Sequence, residues 1–256
     1  MLLTVDIGNT NITLGGYIGD TLKFISRLNT DTSLTADQYA VQILDIVNLR
    51  SGKDTKISDA IISSVVPSTL NAVSSALELI TSKKPMLIGP GTKTGLNIKI
   101  DNPAQLGADL AVGAVGAKGK YPAPTIIIDM GTATTLSVID KNGAFLGGAI
   151  AAGIRSTLDA LASKTAQLPT ISIEAPKSVI GKNTADSMKS GLVIGAACLL
   201  DGMIDRIEDE LGCKTTVVAT GGLAEIVVNA CKKDIILDNN LLLEGLYKIY
   251  HKNKQN

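Results

Sequence analysis

Two stretches decide how this chain folds: LLTVDIGNTNITLGGY at Leu2–Tyr17 and TIIIDMGTATTLSVID at Thr125–Asp140. Each runs from an apolar strand into an Asp, then a Gly- and Thr-bearing turn, then a second strand. Outward from the first, periodicity predicts strands at Leu2–Ile7, Ile12–Ile18 and Thr21–Leu28, broken by Gly8-Asn9-Thr10-Asn11 and Gly19-Asp20, an antiparallel meander. Thr35, three residues before Gln38 and ahead of Tyr39, Ile43, Ile46 and Val47, is a capping box for a helix ending near Gly52. A buried-type strand (Ala60–Val66), a Pro-started helix (Pro67–Ile80) and a strand (Pro85–Ile88) come next.

Outward from the second stretch the same order returns. Strands are predicted at Thr125–Asp129, Thr134–Ile139 and Ala144–Ile150, then helices within Arg155–Leu168 and Ala185–Leu211. Strand Thr215–Ala219, helix Leu223–Cys231, strand Asp234–Leu237 and helix Leu242–Lys252 complete it. One plan is written twice. Alternating strands and helices give an α/β protein with mixed five-stranded sheets flanked by helices, and a cleft between two such units is a natural ligand site. Gly and Pro punctuation at Lys118–Pro124 divides the chain into domains 1–118 and 119–256.

Composition narrows the function. The 256 residues are 45% apolar, enough for well-formed cores, and Lys plus Arg equals Asp plus Glu at 24 each. No block of like charge suits a nucleic-acid backbone or an acidic membrane surface. Cys198, Cys213 and Cys231 lack metal-ligand spacing and read as reduced core residues of a cytoplasmic protein. The N-terminus shows no basic leader, and the longest apolar run, Leu192–Leu200, is too short to span a bilayer. His251, the single histidine, sits among Lys248, Lys252 and Lys254 as a solvated residue, which argues against His-dependent catalysis.

The turns carry the chemistry. Successive backbone N–H groups in a tight turn hold a phosphate, Gly8 or Gly131 allows close approach, and Thr10, Thr132 and Thr134 add hydroxyls. Asp6 and Asp129 end their strands beside those phosphates, where a hard cation needs oxygen ligands. A single such turn reads equally well as an ordinary capped hairpin; a matched pair within duplicated topology favours the nucleotide.

These blocks resemble a known family. The paired turns are similar to those of the superfamily of acetate and sugar kinases, heat-shock ATPases and actin, with its duplicated ribonuclease H-like domains. In detail the chain resembles type III pantothenate kinases, through DIGNTN (Asp6–Asn11), SSVVP (Ser63–Pro67), DNPAQLGAD (Asp101–Asp109), DMGTATT (Asp129–Thr135), GGAIAAG (Gly147–Gly153), GKNTADSMKSG (Gly181–Gly191) and TGGLA (Thr220–Ala224), in family order. The resemblance implies ATP-dependent phosphorylation of pantothenate, the opening step of coenzyme A synthesis, by a homodimer whose substrate site is completed at the dimer interface.

It also implies roles. Asp6, Gly8, Asn9, Thr10, Asn11 and Thr13 would form the first phosphate loop, with Asp6 near the nucleotide's Mg²⁺. Thr132 would touch the phosphates from the second loop, and Gly221 and Gly222 would pass close to the adenosine. Asp129 would take a monovalent cation, K⁺ or NH₄⁺. Asp109 would be the general base, with Gly107, Ala108, Leu110, Ile100 and Thr184 along the pantothenate site. From the residues alone, Asp109 is equally a helix-opening carboxylate and Thr184 an N-cap, and Gly221-Gly222 a strand-to-helix turn.

Departures fall on the acceptor side. The family's Arg after Gly-Ala-Asp is Leu110 here, its Tyr two residues before Asn-Pro is Ile100, and its Pro-Gly is Ala152-Gly153. An aliphatic side chain cannot replace a guanidinium's hydrogen bonds. Arg155 is a candidate positive group, or else a loop-to-helix salt bridge. A kinase for another small hydroxylated acceptor and a non-catalytic nucleotide-binding regulator therefore stand as alternatives; retention of Asp6, Asp109, Asp129 and Thr132 argues against the second.

Overall fold

A computed structural model describes residues 1–53 and 55–254, which divide into two compact units. Unit 1 holds Met1–Leu96, Asp101–Gly116 and the segment from Leu241 onward; unit 2 holds Asn97–Ile100 and Ala117–Asn240. The last helix thus belongs to unit 1, and the four-residue piece Asn97–Ile100 to unit 2.

In unit 1, β1 (Leu2–Ile7), β2 (Asn11–Ile18) and β3 (Thr21–Asn29) form the antiparallel meander, and β4 (Asp59–Ser64) and β5 (Met86–Leu87) add parallel strands, in the order β3-β2-β1-β4-β5. Alternation sorts the side chains. Leu3, Val5, Ile7, Ile12, Leu14 and Ile62 face α1 (Ala36–Ser51) and α2 (Pro67–Thr81), forming one core with Tyr39, Ile43, Val73 and Leu77. The Thr35–Gln38 capping box and the Gly52 stop are both present in α1.

The opposite face carries Leu2 and Ile61 and is covered by α3 (Ala108–Ala117) and α7 (Leu241–Lys254) through Val112, Val115, Leu246, Ile249 and Tyr250. Here lies the reason α7 leaves the second half: Leu242, Leu246 and Ile249 make a helical stripe that fits this face. A Cβ on Gly245 would stand 2.1 Å from the Val112 carbonyl oxygen, and one on Gly116 2.3 Å from that of Leu241, so both glycines let α3 and α7 approach backbone to backbone.

Unit 2 repeats the plan with β7 (Thr125–Met130), β8 (Ala133–Ile139), β9 (Ala144–Ala152), β10 (Thr216–Thr220) and β11 (Ile236–Leu237). Its sheet has six strands, not the expected five, because β6 (Asn97–Ile98) pairs parallel with the edge of β9. Two residues are too few for a periodicity signal. Helices α4 (Ile154–Lys164), α5 (Thr184–Leu211) and α6 (Ala224–Val228) cover the face that carries Ile126, Ile128, Met130 and Leu136.

As one 28-residue helix, α5 is long and apolar enough to cross a membrane by length and composition, which the nine-residue run Leu192–Leu200 concealed. Its buried stripe of Met188, Leu192, Ala197, Leu200 and Ile204 instead builds the unit 2 core. The cysteines are free, but only Cys231 packs against a core, half-buried beside that of unit 2; Cys198 and Cys213 are exposed. Cys198 and Cys213 occupy outward positions that an apolar sequence context did not reveal. His251 is also not simply solvated: it is partly buried, with its ring 4.3 Å from that of Tyr247 and 5.3 Å from that of Tyr250.

Candidate active site

The first loop is a short bridge from β1 to β2. Gly8 N–H donates to the Asn11 carbonyl at 3.0 Å, closing the turn, and Asn9, Thr10 and Asn11 are exposed. Thr30, immediately after β3, clamps it: its Oγ1 donates to the Gly8 carbonyl at 2.6 Å and its N–H to the Thr10 carbonyl at 3.0 Å. The clamp is itself anchored in the core. The buried Tyr39 hydroxyl donates to the Asp31 carbonyl at 2.8 Å and accepts the Asp31 N–H at 3.0 Å.

The second loop repeats this in unit 2, one residue shorter. Gly131 N–H donates to the Ala133 carbonyl at 3.0 Å, and Gly153, immediately after β9, donates its N–H to the Thr132 carbonyl at 3.1 Å. Ser156 Oγ donates to the same carbonyl at 2.7 Å. A Cβ on Gly153 would lie 2.4 Å from the Gly131 oxygen and 2.5 Å from that of Thr132, so the loop rests directly on this glycine's backbone. With their carbonyls engaged from below, both loops expose Gly and Thr residues of the kind that cradle an anion.

Strand register places the two aspartates alike. Asp6 on β1 lies opposite Thr13 on β2 and Ser63 on β4; Asp129 on β7 lies opposite Thr135 on β8 and Thr220 on β10. Residues opposite one another share a sheet face. Each unit therefore presents one row, hydroxyl, carboxylate, hydroxyl, beside its loop. Among the described residues no group of three or more His, Cys, Asp or Glu converges. One carboxylate amid hydroxyls suits a hydrated Mg²⁺ whose remaining ligands are substrate phosphates, since that ion is seldom caged by protein alone.

Asp109 sits in the first turn of α3, the helix packed through Val112 and Val115 on the face of the unit 1 sheet that bears Asp6. Asp109 is partly buried, and its Oδ1 accepts the Leu110 N–H at 2.8 Å. A Cβ on Gly107 would meet that oxygen at 2.5 Å, so a glycine at 107 leaves room for the carboxylate's orientation. Ala108 and Leu110 flank it within the same turn.

Other expected residues are placed differently. Thr184 is the first residue of α5, not its cap: the cap is Asn183, whose Oδ1 accepts the Asp186 N–H at 2.9 Å. Ile100 belongs to unit 2, 3.7 Å from where a Gly147 Cβ would stand, whereas Gly107–Leu110 belong to unit 1. Arg155 is exposed on α4 and forms no ion pair among the described residues. Gly221 has φ +104°, and a Cβ there would lie 2.6 Å from the Met130 carbonyl oxygen, so its backbone packs on the end of β7; nothing lies within 4 Å of a Gly222 Cβ. Gly221 thus answers first to the fold.

Comparison with known proteins points the same way. A family model for type III pantothenate kinase matches residues 2–206. A curated type III pantothenate kinase from Syntrophotalea carbinolica is 40% identical over 99% of this chain and 100% of its own length. Among solved structures, a Baf family protein from Campylobacter jejuni (TM-score 0.63, 20% identity, covering 99% of this chain and 100% of that one) shares the fold. So does component A of (R)-2-hydroxyglutaryl-CoA dehydratase from Acidaminococcus fermentans (TM-score 0.58, 16% identity, 100% and 99% covered). A ROK hexokinase from Thermus thermophilus does as well (TM-score 0.54, 12% identity, 100% and 99% covered). With the paired loops, the repeated Asp rows and a relative this similar along the whole chain, the protein belongs to the type III pantothenate kinase family.

Proposed function

We propose that this chain transfers the γ-phosphoryl group of ATP to the primary hydroxyl of pantothenate, giving 4'-phosphopantothenate and ADP, the first step of coenzyme A biosynthesis. The observation that carries the reading is full-length similarity, 40% identical, to a protein named for that activity. Each Thr-bearing loop offers N–H and hydroxyl donors suited to a phosphate. Asp109 orients the acceptor hydroxyl and takes its proton as the hydroxyl oxygen bonds to the γ-phosphorus and the bond to the β,γ-bridging oxygen breaks. Phosphoryl transfer depends mainly on placement and charge neutralisation, so a partly buried carboxylate with a fixed orientation suffices.

Asp6 holds the Mg²⁺ that accompanies ATP, which neutralises phosphate charge. Asp129 takes a monovalent cation, its row of Thr135 and Thr220 being hard oxygen donors suited to K⁺ or NH₄⁺. Gly107, Ala108, Leu110, Ile100 and Thr184 line the acceptor site, and Gly222 is left open for adenosine. The active form is a homodimer. One observation favours a different hydroxylated acceptor: Leu110 comes directly after Asp109, offering apolar contact where an anion-binding side chain would serve a carboxylate.

Steady-state phosphorylation of pantothenate with ATP and Mg²⁺, with and without K⁺ or NH₄⁺, tests the reading, and light scattering at known concentration tests the dimer. Saturable, monovalent-cation-dependent turnover is expected. ATP binding without pantothenate turnover would transfer the reading to another acceptor or to a regulatory role.

A further inference from the structure

In the row Thr13, Asp6, Ser63, the last residue stands out. Ser63 is fully buried (0% exposed), and its Oγ has no hydrogen-bond partner. A buried hydroxyl without a partner is destabilising, and replacing it with a methyl group of similar volume is ordinarily neutral or favourable. The apolar alternative is readily accommodated, since Ile61, two residues earlier on the same face of β4, is wholly apolar and buried against Val112 and Val115.

Register sets the direction of the hydroxyl. Ser63 is the parallel-strand neighbour of Asp6, and Ile61 and Leu2, on the same side of their strands, both pack under α3 and α7. Ser63 Oγ and the Asp6 carboxylate therefore leave the sheet on one face, next to the loop between β1 and β2. In unit 2 the same position beside Asp129 is again a hydroxyl, the buried Thr220.

We infer that Ser63 is a positioning residue for the nucleotide's divalent cation: with Asp6 it holds a water of the cation's hydration shell, and this is the partner its hydroxyl lacks. The inference rests on the reading that this site binds ATP with Mg²⁺, and adds a residue to it. A hydrated Mg²⁺ needs hydrogen-bond acceptors for its waters as well as a carboxylate, and such outer partners govern metal affinity about tenfold to a hundredfold.

The experiment compares wild type with Ser63→Ala and Ser63→Thr by calorimetric titration of ATP at a series of Mg²⁺ concentrations, with thermal unfolding of each protein free and loaded. If Ser63 holds the shell, Ser63→Ala unfolds at the same or a higher temperature when free. It then requires about tenfold more Mg²⁺ for half-maximal ATP binding and shows a smaller upward shift with Mg²⁺ and ATP. Ser63→Thr, which copies the unit 2 residue, restores the Mg²⁺ dependence. An unchanged Mg²⁺ requirement in Ser63→Ala overturns the inference, as does a fall in free-protein stability that accounts for the lost binding. Because the readout is binding, wild type that binds ATP with Mg²⁺ but leaves pantothenate unphosphorylated would refute the assigned acceptor while the Ser63 comparison still decides this point.

Discussion

Asp109 and Gly107 form a pair whose meaning depends on ångströms. Asp109→Asn is expected to lower kcat about 10²- to 10⁴-fold while leaving the calorimetric affinity for ATP near wild type. Retained turnover would remove Asp109 from the mechanism. Gly107→Ala brings a methyl group to the place where the Asp109 Oδ1 lies only 2.5 Å away, so the carboxylate must turn. A kcat loss of about tenfold to a hundredfold with little change in ATP affinity should result, and a KM effect alone would make Gly107 a substrate contact instead. The thiols offer a separate check. Burial, reinforced by the nearby Asp201 carboxylate and Cys198, pushes Cys231 up to about 12, whereas Cys198 and Cys213 are exposed. Two fast alkylations and one slow one are expected by mass spectrometry near neutral pH.

At the scale of elements, each β-turn loop, β1–β2 and β7–β8, is held by the residues just after the third strand of its meander, Thr30 in unit 1 and Gly153 in unit 2. Thr30→Val removes the hydrogen bond to the Gly8 carbonyl, and Tyr39→Phe removes both bonds to Asp31. Each is expected to destabilise by about 1 kcal/mol and to raise the KM for ATP more than it lowers kcat; unaltered ATP kinetics in Thr30→Val would show that the loop needs no clamp. Gly221→Ala combines a positive φ with a clash against the Met130 backbone and should destabilise unit 2 by about 1–3 kcal/mol, read by chemical denaturation. The loops themselves were legible as Asp-x-Gly turns carrying Thr between apolar strands, but the clamp was not: Thr30 lies 22 residues from Gly8, and nothing in its neighbours marks it. The row beside Asp6 escaped for the same reason, since Thr13 and Ser63 become its neighbours only through strand register.

At the scale of the molecule, Asp238 ties together two distant parts of unit 2. Only 7% exposed, it accepts Lys120 Nζ and the Tyr121 hydroxyl, each at 2.8 Å, and the Asn240 N–H at 3.0 Å. Burial works against its charge, but the bonds from Lys120, Tyr121 and Asn240 prevail and hold its carboxyl below the ordinary value. A carboxylate with a depressed folded-state pKa stabilises the fold above its unfolded value, about 4, and loses that contribution as pH falls through the folded-state pKa. Asp238→Asn should cost about 1.5–3 kcal/mol near neutrality and flatten the decline in stability below about pH 4; an unchanged acid profile would show the network to be inert. Lys120 and Tyr121 lie just after the chain enters unit 2, and Asp238 just before it leaves.

The sequence by itself determined what is local and periodic: the meanders, the capping box at Thr35, the apolar faces, the order of elements and the residues of both turns, because each is set by neighbours a few positions apart. The resemblance then supplied the family and the residues assigned to catalysis. The tertiary structure alone decided the rest. It returned α7 to unit 1, added β6 to the second sheet, made Asn183 rather than Thr184 the cap of α5, and put Cys198 and Cys213 at the surface. It also set Thr30 under the first loop and Ser63 beside Asp6. These depend on which surfaces meet, and an apolar stripe or a lone hydroxyl does not encode its partner until register and packing choose one.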